Sequence, residues 1–223
     1  MMKQSLAALF PALVFIGMTI AILAVFFYVP TEREMGQIQR IFYFHVPSAF
    51  SAYGAFFLVF IGSVQFLRTR QDRWDRLAAS AAELGVIFTV IVLITGPLWA
   101  KPVWGVYWRW EPRLTSLLIT FTMYLVYIMV RQYGSQSAQT QRLAAVLGVL
   151  AFVNVPIVHY SVRLWSPDQQ LHPTRVDLAP EMVYTKYLCY GAFFLLFCYL
   201  LLRRLHLEKN TRQIDRLRQH LSD

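Results

Sequence analysis

The chain has 223 residues, of which 57% are hydrophobic and only 15% are charged. Soluble domains of ordinary composition carry about 25% charged residues and about 45–50% apolar ones. One globular core cannot hide so large an apolar surplus from water, which excludes a soluble enzyme. The formal net charge of +9 does not indicate nucleic-acid binding, because the arginines are scattered between apolar blocks and form no soluble basic domain.

The apolar residues fall in blocks of about 20, the length that a helix needs to cross a bilayer. The predicted fold class is therefore all-α, a polytopic six-transmembrane-helix bundle that forms a single membrane domain over residues 1–223. The predicted spans are 6–29, 42–67, 77–98, 114–130, 143–162 and 183–202. A tail is predicted over residues 203–223. An even number of spans places both termini on one side.

The basic residues between the spans predict which side that is. Thirteen of the 21 lysines and arginines lie in the N-terminus, in the loops after the second and fourth spans, and in the tail. The other three loops and their flanks contain the remaining eight. Because basic residues accumulate on the cytoplasmic side of membrane proteins, both termini and the tail are predicted to be cytoplasmic.

Tryptophan is concentrated on the outer side of this topology. An interfacial belt would enrich it at both membrane surfaces, yet five of the six tryptophans lie on or near the outer side. Four of them fall in the outer loop predicted over residues 99–115, namely Trp99, Trp104, Trp108 and Trp110. Two interpretations stand: an amphipathic interfacial segment that anchors the bundle, and a flat aromatic platform for a planar apolar ligand.

Two histidines frame that loop on the same face. His45 precedes Val46 and Pro47 at the outer end of the second span, where a proline fits the first turn of a helix. His172 lies in the last outer loop. Neutral imidazole is an axial ligand of haem iron, so the pair indicates a haem site above an aromatic floor. The alternative for either residue is a hydrogen-bonded bystander at the membrane interface.

Helix direction and charge favour an anionic group at the same face. The second, fourth and sixth spans begin outside, so three helix N-termini, which favour anions, point there. Arg113 and Lys101 add fixed positive charge beside the aromatic loop. Two haem propionates would be well placed on this face.

Two further polar residues within the spans are ambiguous. His159, near the outer end of the fifth span, is expected to pack or to support the site, with Asn154 bonding between helices. It also remains the competing ligand. Glu83 is the only acidic residue within a predicted span, which makes it a functional candidate. Its position near the inner interface makes a packing or water-bonded role an equal alternative.

Three motifs in chain order carry a family resemblance. Residues 104–115 read Trp-Gly-x-x-Trp-x-Trp-Glu-x-Arg-Leu-Thr, which resembles the tryptophan-rich WWD signature of haem-handling proteins in cytochrome c assembly. Residues 45–47 read His-Val-Pro, and residues 154–161 read Asn-x-Pro-Ile-x-His-Tyr-Ser. With these motifs the chain resembles the short, six-span heme exporter protein C (CcmC) family over roughly residues 36–202.

The resemblance implies a function, partners and site residues. Members of that family load haem b onto the chaperone CcmE in the bacterial cytoplasmic (inner) membrane, with the ABC-type subunits CcmA and CcmB and the small helper CcmD. The implied axial ligands of the iron are His45 and His172, and the site faces the periplasm. The other predicted binding residues are Trp99, Trp104, Trp108, Trp110, Glu111 and Arg113. Glu111 replaces the usual aspartate of the signature, and the loop between Trp165 and His172 is longer than the family form.

The sequence therefore predicts a haem-binding and haem-delivering membrane protein without catalytic chemistry of its own. It contains no G-x-x-x-x-G-K-[ST] loop, so ATP use would belong to another subunit. It contains no C-x-x-C-H motif, so haem is not attached as in a c-type cytochrome. The alternatives are a b-type electron-transfer cytochrome, a permease subunit that translocates haem, and a CcsA-type synthetase component of the same superfamily.

Overall fold

The computed structural model describes residues 2–134, 137–165 and 178–222, with side chains for residues 9–134, 137–161 and 178–214. Over these residues the chain forms six long α-helices and no β-strand. The helices are α1 Met2–Leu23, α2 Phe42–Thr69, α3 Asp72–Trp104, α4 Pro112–Tyr133, α5 Ala138–Trp165 and α6 Pro180–Ser222. Each contains a stretch that is long and apolar enough to cross a membrane. The prediction of an all-α polytopic membrane protein is confirmed.

The helices run further than the predicted spans at most of their ends. α1 continues as one π-helical turn, Ala24–Tyr28, and a 3-10 helix, Gln37–Ile41, leads into α2. Because α3 extends to Trp104 and α4 begins at Pro112, only residues 105–111 of the outer loop predicted over 99–115 are non-helical. α6 continues through the residues that were predicted as a tail.

The interface between α2 and α3 is the most extensive in the bundle. Small side chains allow this close packing, since Ala78, Ala81 and Ala82 of α3 are buried there. A Cβ atom on Gly85 would overlap the ring of Phe56 on α2. Phe56 in turn stacks on Tyr124 of α4, with ring centroids 3.8 Å apart and planes inclined by 6°. The packing of three helices therefore depends on a glycine at position 85.

The remaining helices pack around this pair. α5 packs against α4 and α2, and the side-chain amide of Asn154 on α5 donates to the Ser116 carbonyl (2.8 Å) and the Thr120 hydroxyl (2.7 Å) of α4. The predicted bonding of Asn154 between helices is confirmed. α1 packs chiefly on α6 and exposes large apolar side chains such as Phe15 and Ile16 away from it. Such a face suits contact with lipid.

A group of ion pairs, here called the charged cluster, lies at the end of the bundle where α3 and α5 begin. It consists of Asp75, Glu83, Arg131, Arg204, Glu208 and Arg212. Asp75 is 2% exposed and accepts hydrogen bonds from Arg131 at 2.6 and 3.0 Å and from Arg212 at 2.7 Å. One carboxylate therefore joins α3 to both α4 and α6.

The same cluster accounts for the acidic residue within the third span. Arg204 donates from Nε to Glu83 Oε2 and from Nη2 to Glu83 Oε1, each at 2.5 Å. Glu208 bridges Arg204 and Arg212 along α6, at 3.1 and 2.9 Å. Glu83 is thus bound to α6 by a bidentate ion pair, the arrangement in which an arginine and a carboxylate bond most strongly.

Candidate functional site

A cavity of about 500 Å³ lies at the opposite end of the bundle, where α2, α4 and α6 begin and α3 and α5 end. Ligand pockets in proteins commonly enclose about 300–1,000 Å³. Most of the lining is apolar and all five of these helices contribute to it. The side chains with distinctive chemistry on its wall are His45, Trp99, Trp104, Trp108, Arg113, His159 and Lys186.

Most of the predicted binding residues meet at this cavity. Five of the eight line it, namely His45, Trp99, Trp104, Trp108 and Arg113. Trp110 and Glu111 are not part of the wall. His172 lies outside the described residues. Residues that are far apart in the sequence therefore converge on one site.

Three tryptophans line the cavity, and Trp99, Trp104 and Trp108 are here called the tryptophan wall. The rings of Trp99 and Trp104, both in the last turns of α3, meet edge to face with centroids 4.7 Å apart. Trp108 lies on the wall and packs against Trp110, with ring centroids 5.7 Å apart. Trp110 itself is 74% exposed. Trp110 therefore packs against Trp108 without lining the cavity, and its own ring is exposed on the surface of the protein.

Gly105 ends α3 and turns the chain back over the cavity. Its φ of +78° lies in the left-handed region that favours glycine, and its N–H donates to the Lys101 carbonyl at 2.9 Å. The Lys101 ammonium donates to the Gly105 carbonyl at 2.9 Å and lies 5.3 Å from the centroid of the Tyr107 ring. Lys101 is thus engaged at the helix end and does not line the cavity.

The second cation on the cavity wall is Lys186, in the first turns of α6. The sequence analysis named Arg113 and Lys101 as the positive charges beside the aromatic loop; Arg113 lines the cavity, Lys101 does not, and Lys186 was not predicted. The available signal was the position of Lys186 near the start of the sixth span. Arg113, in the first turn of α4, and Lys186 bring positive charge to the cavity from two different helices.

His45 is the fourth residue of α2 and so lies near the start of the helix, as predicted, although Pro47 is the sixth residue and lies inside the helix, beyond the first turn. Its Nδ1 atom is 2.8 Å from the hydroxyl oxygen of Thr95 on α3. The Thr95 hydroxyl also contacts the Ile91 carbonyl oxygen at 2.6 Å. The imidazole is therefore held across the α2–α3 interface while it lines the cavity.

His159 reaches the same cavity from α5. It is an exposed residue, and its ring meets Tyr160 edge to face with centroids 5.1 Å apart. Its position on the wall agrees with a role near the site. His45 and His159 are the two imidazoles that line the cavity among the described residues.

Glu111 occupies the position just before α4 and is 9% exposed. Its carbonyl oxygen accepts the N–H of Thr115 at 3.0 Å, and Pro112 follows at the first helical position. Proline suits this position, and a carboxylate near a helix N-terminus interacts favourably with the helix dipole. The geometry therefore places Glu111 at the start of the helix that presents Arg113.

A short turn between α1 and α2 completes the rim. The Glu32 carboxylate accepts the backbone N–H groups of Met35 and Glu34. The bond from Met35 holds the pKa of Glu32 below its ordinary value. Met35 itself lines the cavity. The turn is thus tied together by an ionised carboxylate at neutral pH.

The wall fits a planar, mainly apolar molecule with acidic groups. Aromatic and aliphatic side chains cover most of it, imidazoles supply metal-ligating nitrogen, and two cations suit carboxylates. In addition, the indole N–H of Trp108 is buried and has no hydrogen-bond acceptor among the described residues. A haem molecule has each of the complementary features: a flat ring, an iron atom and two propionates.

Comparison with known proteins finds a family model and relatives that are named for heme export. A family model described as heme exporter protein C matches residues 1–220. A heme exporter protein C from Paracoccus denitrificans is 34% identical over 198 residues, 86% of this chain and 81% of its own. One from Rhodobacter capsulatus is 31% identical over 204 residues, 87% of this chain and 82% of its own.

A third relative carries the link to cytochromes in its name. It is a ccmC-like mitochondrial protein of cytochrome c biosynthesis from Marchantia polymorpha. It is 31% identical over 170 residues, which cover 75% of this chain and 72% of the relative. The match over almost the whole length and these relatives lead to one conclusion: the chain belongs to the heme exporter protein C family.

Proposed function

We propose that this protein binds haem b in the cavity and delivers it to the haem chaperone CcmE for maturation of c-type cytochromes. The observation that carries the proposal is the convergence of His45, the three-tryptophan wall and Arg113 on one cavity. Imidazole ligates haem iron, aromatic faces pack on a flat ring, and guanidinium groups bind carboxylates. The names of the relatives, which refer to heme export and cytochrome c biosynthesis, support the same cargo.

In this proposal haem is a transferred cargo with two axial ligands. His45 supplies one from α2, and His172 supplies the other. Arg113 and Lys186 hold the propionates, and the tryptophan wall packs against the ring. The residues of this chain bind and orient haem, and the only bonds to the cargo that they would form and release are the coordinate bonds from the two imidazoles to iron.

The proposal also assigns an orientation and partners. The cavity faces the periplasm of the bacterial inner membrane, and both termini lie in the cytoplasm. The excess of basic residues near the termini supports this direction. CcmA and CcmB supply ATP hydrolysis, and CcmD assists the complex. The exposed ring of Trp110, which packs against Trp108 beside the cavity, is assigned to contact with the chaperone.

Transfer itself provides the direct test of delivery. The full-length chain, purified in lipid nanodiscs and loaded with haem b, is mixed with the soluble domain of apo-CcmE and, separately, with apomyoglobin as an unrelated acceptor. We expect haem to move to CcmE at a rate that rises with the CcmE concentration, and more slowly to apomyoglobin. Haem release at one rate with both acceptors would contradict specific delivery.

The two cations are expected to recognise the carboxylates of the cargo. Arg113→Gln and Lys186→Gln should each weaken haem binding by about 10-fold or more, since a hydrogen bond to a charged group contributes about 1.5–3 kcal/mol. Binding of haem dimethyl ester, which has no free carboxylate, should change little in either variant. Soret titration of the full-length chain with both ligands measures the difference.

Lys101→Gln is the matched control for these variants, because Lys101 is a cation of the same region that does not line the cavity. It should leave the affinities for both ligands close to those of the parent chain. An equal loss of affinity for haem and for its ester in Arg113→Gln and Lys186→Gln would show that the two cations do not bind the carboxylates.

A further inference from the structure

The contact of Thr95 with the Ile91 carbonyl determines which atom donates the hydrogen bond between His45 and Thr95. The Thr95 hydroxyl lies 2.6 Å from the Ile91 carbonyl oxygen, one turn earlier on α3, and a carbonyl can only accept. A hydroxyl has a single hydrogen to donate. Since that hydrogen is used on Ile91, the hydroxyl oxygen accepts at its 2.8 Å contact with His45 Nδ1. The hydrogen of this contact therefore lies on Nδ1.

This direction selects one tautomer of the imidazole. A neutral ring with its hydrogen on Nδ1 has its lone pair on Nε2. Histidines that bind metals almost always donate their other ring N–H to an oxygen atom, which orients the ring and raises its basicity as a ligand. From this geometry we infer that Thr95 is a positioning residue, which fixes His45 with Nε2 as the iron-binding atom. The inference rests on the proposed function, in which His45 is an axial ligand.

The surroundings of the ring support this role. A Cβ atom on Gly96, the residue after Thr95, would lie 3.4 Å from His45 Cε1, so the backbone of α3 runs close beside the imidazole. Both contacts come from α3 across the most extensive interface of the bundle. The ring is therefore oriented by a helix that packs firmly against its own.

A structural role for Thr95 makes different predictions. Threonine commonly bonds to the carbonyl four residues earlier in membrane helices, and Thr122 of α4 makes the same bond to Leu118 at 2.9 Å. If the Thr95 hydroxyl only bonds to a carbonyl of its own helix, its loss would change haem binding through the stability of the fold, independently of His45. A residue that acts through His45 would change the properties of the bound iron.

The test compares Thr95→Val, which keeps the shape and removes the acceptor, with Thr95→Ser, which keeps the acceptor. The full-length chain in nanodiscs is titrated with haem b, and the reduction potential of the bound haem is measured. Thr95→Val should raise the Kd by about 10-fold or more, as does the loss of other hydrogen bonds to the N–H of a metal-binding histidine. It should also move the potential to more positive values, because a less basic ligand stabilises ferric iron less. Thr95→Ser should restore both quantities, and Thr122→Val is the control for loss of a helix hydroxyl.

A double-mutant cycle with His45→Ala separates the two roles. If Thr95 acts through His45, Thr95→Val should have little effect on haem affinity in the His45→Ala background. An equal effect in both backgrounds, or a potential that Thr95→Val leaves unchanged, would overturn the inference while the proposed function stands. Full haem affinity in His45→Ala would overturn the ligand assignment and this inference with it. Should Thr95→Val fail to insert, Thr95→Ala takes its place in the same cycle.

Discussion

Substitution of His45 by alanine is expected to remove the six-coordinate, bis-imidazole spectrum of haem b bound to the full-length chain. Loss of a residue that only hydrogen-bonds to a metal ligand typically lowers the affinity about 10–100-fold. The haem affinity of His45→Ala should fall further, because the ligand itself is lost. The reduced α and β bands and a Soret titration in nanodiscs measure both effects. Addition of free imidazole should restore the six-coordinate spectrum, since the tryptophan wall and the cations still hold the ring.

Two other histidines provide the comparisons that make this result specific. His206→Ala should change nothing, because His206 lies on α6 beyond Arg204 of the charged cluster, at the opposite end from the cavity. His159 is the informative rival, since it lines the same cavity. If His159→Ala removed the six-coordinate spectrum and His45→Ala retained it, the ligand would come from α5, and the assignment of His45 would be wrong.

The second large effect is expected at the charged cluster. Asp75→Ala should lower the free energy of unfolding by about 3 kcal/mol, the lower end of the cost of breaking a buried ion pair. Asp75 is 2% exposed, and its loss leaves Arg131 without its bidentate partner. Arg212 keeps its bond to Glu208, which argues for the lower end of the range. Unfolding of the purified protein by SDS in mixed micelles measures the change.

A second substitution distinguishes an unpaired charge from lost packing. Replacing Arg131 by methionine in the Asp75→Ala background should recover part of the stability, because a partly buried guanidinium is then no longer uncompensated. Haem affinity should be the same in both variants, since the cluster lies at the opposite end of the bundle from the cavity. A lower haem affinity without a loss of stability would contradict a purely structural role of Asp75.

The fold was predictable because the bilayer sets the length of its elements. Six apolar blocks with few charges can satisfy their backbone groups in lipid only as helices, and six long α-helices are observed over the part of the chain that the structure describes. The ends of the helices were less predictable, since local contacts decide them. α3 continues past its predicted end at Leu98 to Trp104, where the left-handed Gly105 and the Lys101 side chain cap it. No hydropathy pattern contains that information.

The part of the candidate site that could be predicted consists of residues in short sequence motifs. His45, Trp104 and Trp108 stand in motifs, and they line one cavity. The choice between Lys101 and Lys186 depends on the rotation of each helix and on the direction of a long side chain, which composition does not reveal. The Asp75 bonds join residues 56 and 137 positions apart, and Thr95 is a lone hydroxyl in an apolar run. Such contacts exist only after the helices have packed.

The α2–α3 interface also determines how the cavity can change its width. α2 and α3 follow each other with only Arg70 and Gln71 between them, and together they present His45, Trp99 and Trp104. Because their mutual interface is the most extensive of the bundle, we expect these three side chains to move as one unit. The interfaces of α6 with α2 and α3 are smaller, and the ion pairs of α6 to Asp75 and Glu83 lie at the other end of the bundle, so we expect α6 to separate at the cavity end more readily than the pair. An opening at α6 would draw Lys186 away from the cargo while His45 stayed in place, and the loss of a propionate contact would then precede the loss of the iron ligand.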